Sequence, residues 1–361
     1  MKRFEGFEHG MGIGGWLTNY KRFNSIPEER RLRLTIGDFE HFAEYITERD
    51  VRYIASLGMD HIRLGFDQIV VEEAPFRYRE EIFSHVDRFV SWCEKYGVNV
   101  VLNLHKAVGN YCDIREKIQL LDDEELQARF IALWIAFEKR YADKKEIAFE
   151  LLNEVRDVDP EKWNDLAEKT IRELRKQNGT RKIIVGSTCW NSARTLGDLR
   201  VWDDENVIYT FHMYDPQEFT HQRGVLRPDL YYNRKMPYPC DAERYRDFWR
   251  VVHGRTDAYP GADTIDIRTL REYMAGAPAF LKVHPDKILW CGEFGTIRHA
   301  DIKWRENWMR DVITILKENG IPYCVWNYLS TPNDGNRFSL VDDDSRLILS
   351  EEMARIIRGE V

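Results

Sequence analysis

The chain has 361 residues, with 53 Lys and Arg against 61 Asp and Glu, a formal net charge of −8. A chain of this balance lacks the clustered positive charge that phosphate contacts need, which argues against nucleic acid as a partner. Hydrophobic residues make up 43%, too many for disorder, yet no stretch approaches the ~18 apolar residues of a membrane span.

From the N-terminus, Met1-Lys2-Arg3 is basic, but the apolar segment of a signal peptide does not follow. The chain therefore reads as cytoplasmic as written, or as secreted with a leader removed. Met11 to Leu17 is taken as a glycine-rich first strand. Thr47 to Asp50 has the form of a capping box; Val51, Ile54 and Leu57 follow at helical spacing, and Gly58 stops the helix before a strand His61 to Leu64. Phe83, Val86, Phe89, Val90 and Cys93 repeat the helical period, Gly97 ends it, and Val98 to Leu104 is a strand. Asp122 or Asp123 caps a helix carrying Leu126, Phe130, Leu133, Trp134 and Phe137, and the strand Ile147 to Leu152 comes next. Asp159-Pro160 opens another helix, closed by Asn178-Gly179 before the strand Lys182 to Ser187. Strands Val207 to Met213, Ile288 to Cys291 and Tyr323 to Trp326 complete the series, the last preceded by a helix bearing Trp304, Trp308, Val312 and Leu316.

Eight near-continuous apolar strands separated by amphipathic helices predict an α/β chain with a parallel sheet closed into a (β/α)8 TIM barrel. One stretch breaks the rhythm. Residues 215–285 hold no clear barrel strand and are rich in Tyr, Arg and Pro. An insertion after strand six falls on the C-terminal face, where barrel active sites lie, so it is read as a helical cap within a single domain 1–361, working as a monomer.

Several motifs have plain structural readings. Gly10-Met11-Gly12-Ile13-Gly14-Gly15 fits G-x-G-x-x-G, but the residues before it are too polar for the buried strand that a dinucleotide site requires. Asn178-Gly179-Thr180 fits a glycosylation sequon and is better explained as a helix-ending turn. The six scattered cysteines form no C-x-x-C pair and read as reduced, mostly buried residues. No G-x-S-x-G, H-E-x-x-H, phosphate-binding loop or His-x-His pair is present, so neither a metal nor an organic cofactor is expected.

Polar residues do recur at the ends of the apolar strands: Arg63, His105, Asn153-Glu154, His212 with Tyr214, Glu293 and Trp326. In a barrel these ends converge on one face and form one ring. Two glutamates in such a ring suit cleavage of a glycosidic bond. One carboxylic acid protonates the departing oxygen, and the other stabilises or traps the positive anomeric carbon. Surplus Trp and Tyr suit flat sugar faces.

With those residues in that order, the chain resembles glycoside hydrolase family 5, within the clan that carries catalytic glutamates at the ends of strands four and seven. The likeness runs from about Gly10 to Trp326, and phrases such as Gly14-Gly15-Trp16 and Trp326-Asn327-Tyr328 look closest to bacterial endoglucanases. It implies Glu154 as acid/base and Glu293 as an ionised nucleophile. Arg63 and Tyr214 would hold Glu293, Asn153 would bind a sugar 2-hydroxyl, and His105 and His212 would position hydroxyls and the acid/base. Trp326 would stack under the sugar. The implied substrate is a β-glucan, cleaved internally at β-1,4 bonds with retention. Mannan or mixed-linkage and 1,3-glucan are the alternatives within the family, and a non-catalytic polysaccharide-binding barrel is the alternative outside catalysis. Two positions depart from the family's pattern: Gly65 stands where Pro is common, and Lys106-Ala107 follows His105 where a second His is common.

Overall fold

The computed structural model describes residues 2–18, 34–111, 117–224, 231–331 and 335–361. Eight strands carry the architecture: β1 His9–Leu17, β2 His61–Asp67, β3 Asn99–Lys106, β4 Ile147–Glu150, β5 Lys182–Gly186, β6 Val207–Met213, β7 Ile288–Phe294 and β8 Tyr323–Val325. Each pairs in parallel with the next, and β1 pairs with β8 to close the barrel. Every residue of β2 and β6 is buried, because one face lines the lumen and the other meets the helices. The (β/α)8 barrel expected from the alternation is thus the fold. Strand ends differ: β2 runs on to Asp67, β7 to Phe294, and β4 stops at Glu150.

The helix boundaries follow local chemistry. Asp50 Oδ2 accepts the Thr47 backbone N–H at 2.8 Å, completing the expected capping box. Asp123, rather than Asp122, caps the helix Glu124–Arg140, accepting from the Glu125 and Leu126 N–H groups at 2.9 and 3.0 Å. Asp159 caps Pro160–Gln177. The end of that helix departs from a left-handed glycine cap. Asn178 stays extended, and its Oδ1 accepts from the Thr180 N–H at 2.9 Å.

The glycine run is explained by lumen packing. A Cβ on Gly10 would lie 2.0 Å from the His61 ring, and one on Gly12 would lie 2.7 Å from the Trp326 ring. These glycines sit inside β1, so the strand–turn–helix context of a dinucleotide loop is not what they form. The segment before them plugs the barrel floor. Phe4 and Phe7 stack at 4.2 Å and bury against Val101, Ala148, Ile184, Ile208, Trp290 and Cys324.

After β6 the chain forms a short helix Gln217–Thr220, a two-stranded ribbon of Cys240–Asp241 with Thr264–Ile265, and helices Glu243–His253, Ile267–Tyr273 and Gly276–Val283. The last packs against the 3₁₀ segment Ala193–Asp198, filling the side of a β5–β6 crossover that holds no long helix. Tyr238 donates to Asp311 at 2.7 Å, tying the insertion to the helix Ile302–Glu318. Five of the cysteines, Cys93, Cys189, Cys240, Cys291 and Cys324, are free thiols; Cys112 lies outside the described residues. No helix among the described residues is long and apolar enough to cross a membrane.

Candidate active site

The barrel brings all eight expected residues to one end of its lumen. His105, His212 and Glu293 are the penultimate residues of β3, β6 and β7, while Tyr214 and Trp326 directly follow β6 and β8. Asn153 and Glu154 lie in the loop just past β4. Arg63 corrects the expectation of a strand end. It is the third residue of a seven-residue β2, so its guanidinium enters the lumen from below the rim.

Arg63 is fully buried and organises the site. Its Nη1 donates to Glu293 Oε2 at 2.6 Å, its Nε and Nη2 to the two oxygens of Glu150 at 2.6 and 2.9 Å, and Nη2 also to Asn153 Oδ1 at 2.7 Å. The Tyr214 hydroxyl donates to Glu293 Oε1 at 2.6 Å. His212 Nδ1 lies 2.9 Å from Glu154 Oε1. A carboxylate oxygen of Glu154, one of Glu293 and a ring nitrogen of His212 all lie within 4.8 Å of one another. Trp326 stacks on His105 at 5.5 Å and 7°, and the His105 ring bonds Asn103 Oδ1 through Nδ1 at 2.9 Å. Glu154 itself is left-handed, with φ +44, a conformation that costs a non-glycine residue about 1–3 kcal/mol and clusters at working sites.

Burial sets the electrostatics. It pushes the Glu293 carboxyl above its ordinary value of 4.5, against the pull of His212, Arg63 and the Tyr214 hydroxyl; Glu154 adds to the rise. Arg63 favours the charged form of Glu293 through one Nη only, because the guanidinium gives its two-toothed face to Glu150. Arg63 is pushed up despite its burial, since Glu150 and Glu293 outweigh the desolvation. Burial brings His212 down to about 4, and burial with Arg63 nearby drops His105 well below its usual value. Both rings are thus neutral at neutral pH. Glu154, His212 and Glu293 lie close enough together to hold a metal ion, but the two oxygens of Glu293 are already engaged by Arg63 and Tyr214, and Glu154 Oε1 by His212.

Sequence reasoning missed Glu150, Asn103 and Asn191. Glu150 and Asn103 carried a signal, each a polar residue inside an otherwise apolar strand. Asn191, 3.2 Å from His212, lies past β5 in a segment without periodicity, so nothing marked it.

Residues 28–331 match the model of a family described as cellulase, glycosyl hydrolase family 5. The chain is 33% identical over 357 residues to endoglucanase C of Acetivibrio thermocellus, covering 97% of this chain and 98% of that relative. It is 29% identical over 326 residues to cellodextrinase A of Ruminococcus flavefaciens, covering 89% and 85%. Among solved structures, a substrate-bound hyperthermophilic endo-β-1,4-glucanase aligns with TM-score 0.72 at 21% identity over 98% of this chain and 97% of that one. Endoglucanase Cel5A of Thermotoga maritima aligns with TM-score 0.72 at 24% identity, again over 98% and 97%.

Proposed function

Because this chain belongs to glycosyl hydrolase family 5, we propose that it is a retaining endo-β-1,4-glucanase with Glu154 as acid/base and Glu293 as nucleophile. The observation that carries the assignment is that a carboxylate oxygen of Glu154 and one of Glu293 lie within 4.8 Å of each other. Inverting enzymes hold their carboxyl groups ~6.5–9.5 Å apart to admit a water, whereas retaining ones hold them ~5–5.5 Å apart.

In the first step Glu293 attacks the anomeric carbon as the glycosidic C–O bond breaks, and Glu154 gives its proton to the departing oxygen. The enzyme is then a covalent glycosyl ester on Glu293. In the second step Glu154, now ionised, takes a proton from water as that water attacks the anomeric carbon and frees Glu293. Arg63 and Tyr214 hold the two oxygens of Glu293 in fixed directions. Arg63 also bonds the amide oxygen of Asn153, so the NH2 is the group Asn153 turns to the sugar 2-hydroxyl. Trp326, braced by His105, supplies a flat face for the sugar at the cleavage point. The insertion 215–285 acts as a cap beside this face. On this reading the enzyme works as a monomer.

The substrate assignment leans on relatives named endoglucanases. A panel of polysaccharides with reducing-end detection tests it: β-1,4-glucans are expected to outrank mannan, and the reverse order would make the enzyme a mannanase. Glu154→Ala is expected to cripple glucan cleavage yet spare the first step on aryl glycosides with good leaving groups, which need no proton. Equal loss on both would remove Glu154 as the proton donor. Glu293→Ala is expected to abolish cleavage of both.

A further inference from the structure

We propose that Asn191 is a positioning residue that fixes the tautomer of His212, and through it the hydrogen bond His212 donates to Glu154. The inference rests on the reading of Glu154 as acid/base. Asn191 is fully buried, and its Nδ2 lies 3.2 Å from His212 Nε2. On the far side of the ring, Nδ1 lies 2.9 Å from Glu154 Oε1.

An amide NH2 only donates, so His212 Nε2 must present its lone pair to Asn191. The single proton of the neutral ring then sits on Nδ1, facing Glu154. The reverse orientation of the amide would leave a lone pair on Nδ1 against Glu154, a repulsion as soon as that carboxylate ionises in the second step. The observed arrangement keeps the bond in both protonation states, with the acid's proton left on the oxygen that faces the leaving group.

The chain makes unusual local choices to deliver this amide. Cys189, Trp190 and Asn191 are three consecutive left-handed residues, with φ of 53, 58 and 55. The turn is pinned to the Glu154 loop: Trp190 N–H bonds the Val155 carbonyl at 2.8 Å and Cys189 N–H bonds that of Arg156 at 3.3 Å. Gly186 leaves room for it, since a Cβ there would lie 2.4 Å from Asn191 Oδ1. Asn and Asp tolerate the left-handed region about equally, so the backbone does not explain an amide over an acid. The chemistry does. A carboxylate at 191 would draw a second proton onto His212, and the imidazolium would depress the acid/base.

The charged and titratable groups around His212 are Glu154 and Glu150 from β4 and its loop, Glu293 from β7, Arg63 from β2, His105 from β3 and Tyr214 from the end of β6. None of these changes in Asn191→Asp, which is isosteric. Its alkaline limb of kcat/KM on a soluble β-1,4-gluco-oligosaccharide is expected to move down by about one pH unit. Asn191→Gly deletes the amide while relaxing the backbone. It is expected to lower kcat/KM on that substrate about tenfold and to leave an aryl cellobioside with a good leaving group close to wild type. An alkaline limb that stays in place in Asn191→Asp overturns the proposal, as does equal loss on both substrates in Asn191→Gly; if Asn191→Asp does not fold, the glycine variant decides alone. Glu154→Ala run alongside separates the two readings, because retained glucan cleavage there would remove the acid/base assignment itself.

Discussion

Glu293 is pulled in two directions: burial penalises its charge, while a guanidinium at 2.6 Å and a phenol at 2.6 Å stabilise it. Tyr214→Phe removes one donor and leaves burial less opposed, so the Glu293 carboxyl rises further. As the proposed nucleophile, Glu293 with a raised pKa loses activity sooner as pH falls, so the acid limb of kcat/KM is expected to move up by about one pH unit. Glu150→Gln has the opposite sign. It removes a negative charge and returns Arg63 to Glu293, so the acid limb is expected to move down. pH–rate profiles of the two variants check both shifts, and a general disruption of the site cannot mimic opposite signs. Glu150 itself could have been found in the sequence, because a glutamate within Ile147 to Leu152 has to be paired once that strand is buried.

At the scale of elements, β1 shows how a strand can act through what it lacks. It is paired on both sides, with β2 and β8, so it cannot shift to make space. A Cβ at position 12 would lie 2.7 Å from the Trp326 ring. Gly12→Ala is therefore expected to displace Trp326, to lower kcat/KM on glucan about tenfold, and to destabilise the fold by ~1–3 kcal/mol. An unchanged kcat/KM would mean that Trp326 does not define the sugar's plane. The same strand shows the reach of pattern reading. Its hydrophobic content predicted a strand, but the partners of its glycines, His61 and Trp326, are tens to hundreds of residues away in the chain.

For the whole molecule, the site is a local cost that the barrel absorbs. Glu293 has a folded-state pKa above the ordinary 4.5 of an unfolded chain. Such a group binds protons more readily when folded, so it lowers stability as pH rises from about 4.5 through the folded pKa. Glu293→Gln is expected to melt at a higher temperature than the wild type at pH 7, with the gain closing as pH falls below the ordinary carboxylate range. Melting curves across pH test this, and a lower Tm at pH 7 would show that the ion pair with Arg63 outweighs the burial. The insertion shares the Tyr238–Asp311 bond and the Arg271–Glu318 ion pair with the helix Ile302–Glu318. Calorimetry is therefore expected to give one transition, whereas two would make residues 215–285 a separate domain.

Periodicity and punctuation in the sequence determined the eight-strand barrel, the capped helices, and the strands at or just past whose ends Glu293 and Glu154 lie. Those features depend on residues close together in the chain, where apolar spacing, capping side chains and terminating glycines act directly. Only the tertiary structure decided that Arg63 divides its guanidinium between Glu150 and Glu293, that Gly10 and Gly12 make room for rings on other strands, and that Asn191 reaches His212 from a left-handed turn. Each of these is set by the closure of the barrel, which fixes distances across the lumen between segments that share no local pattern.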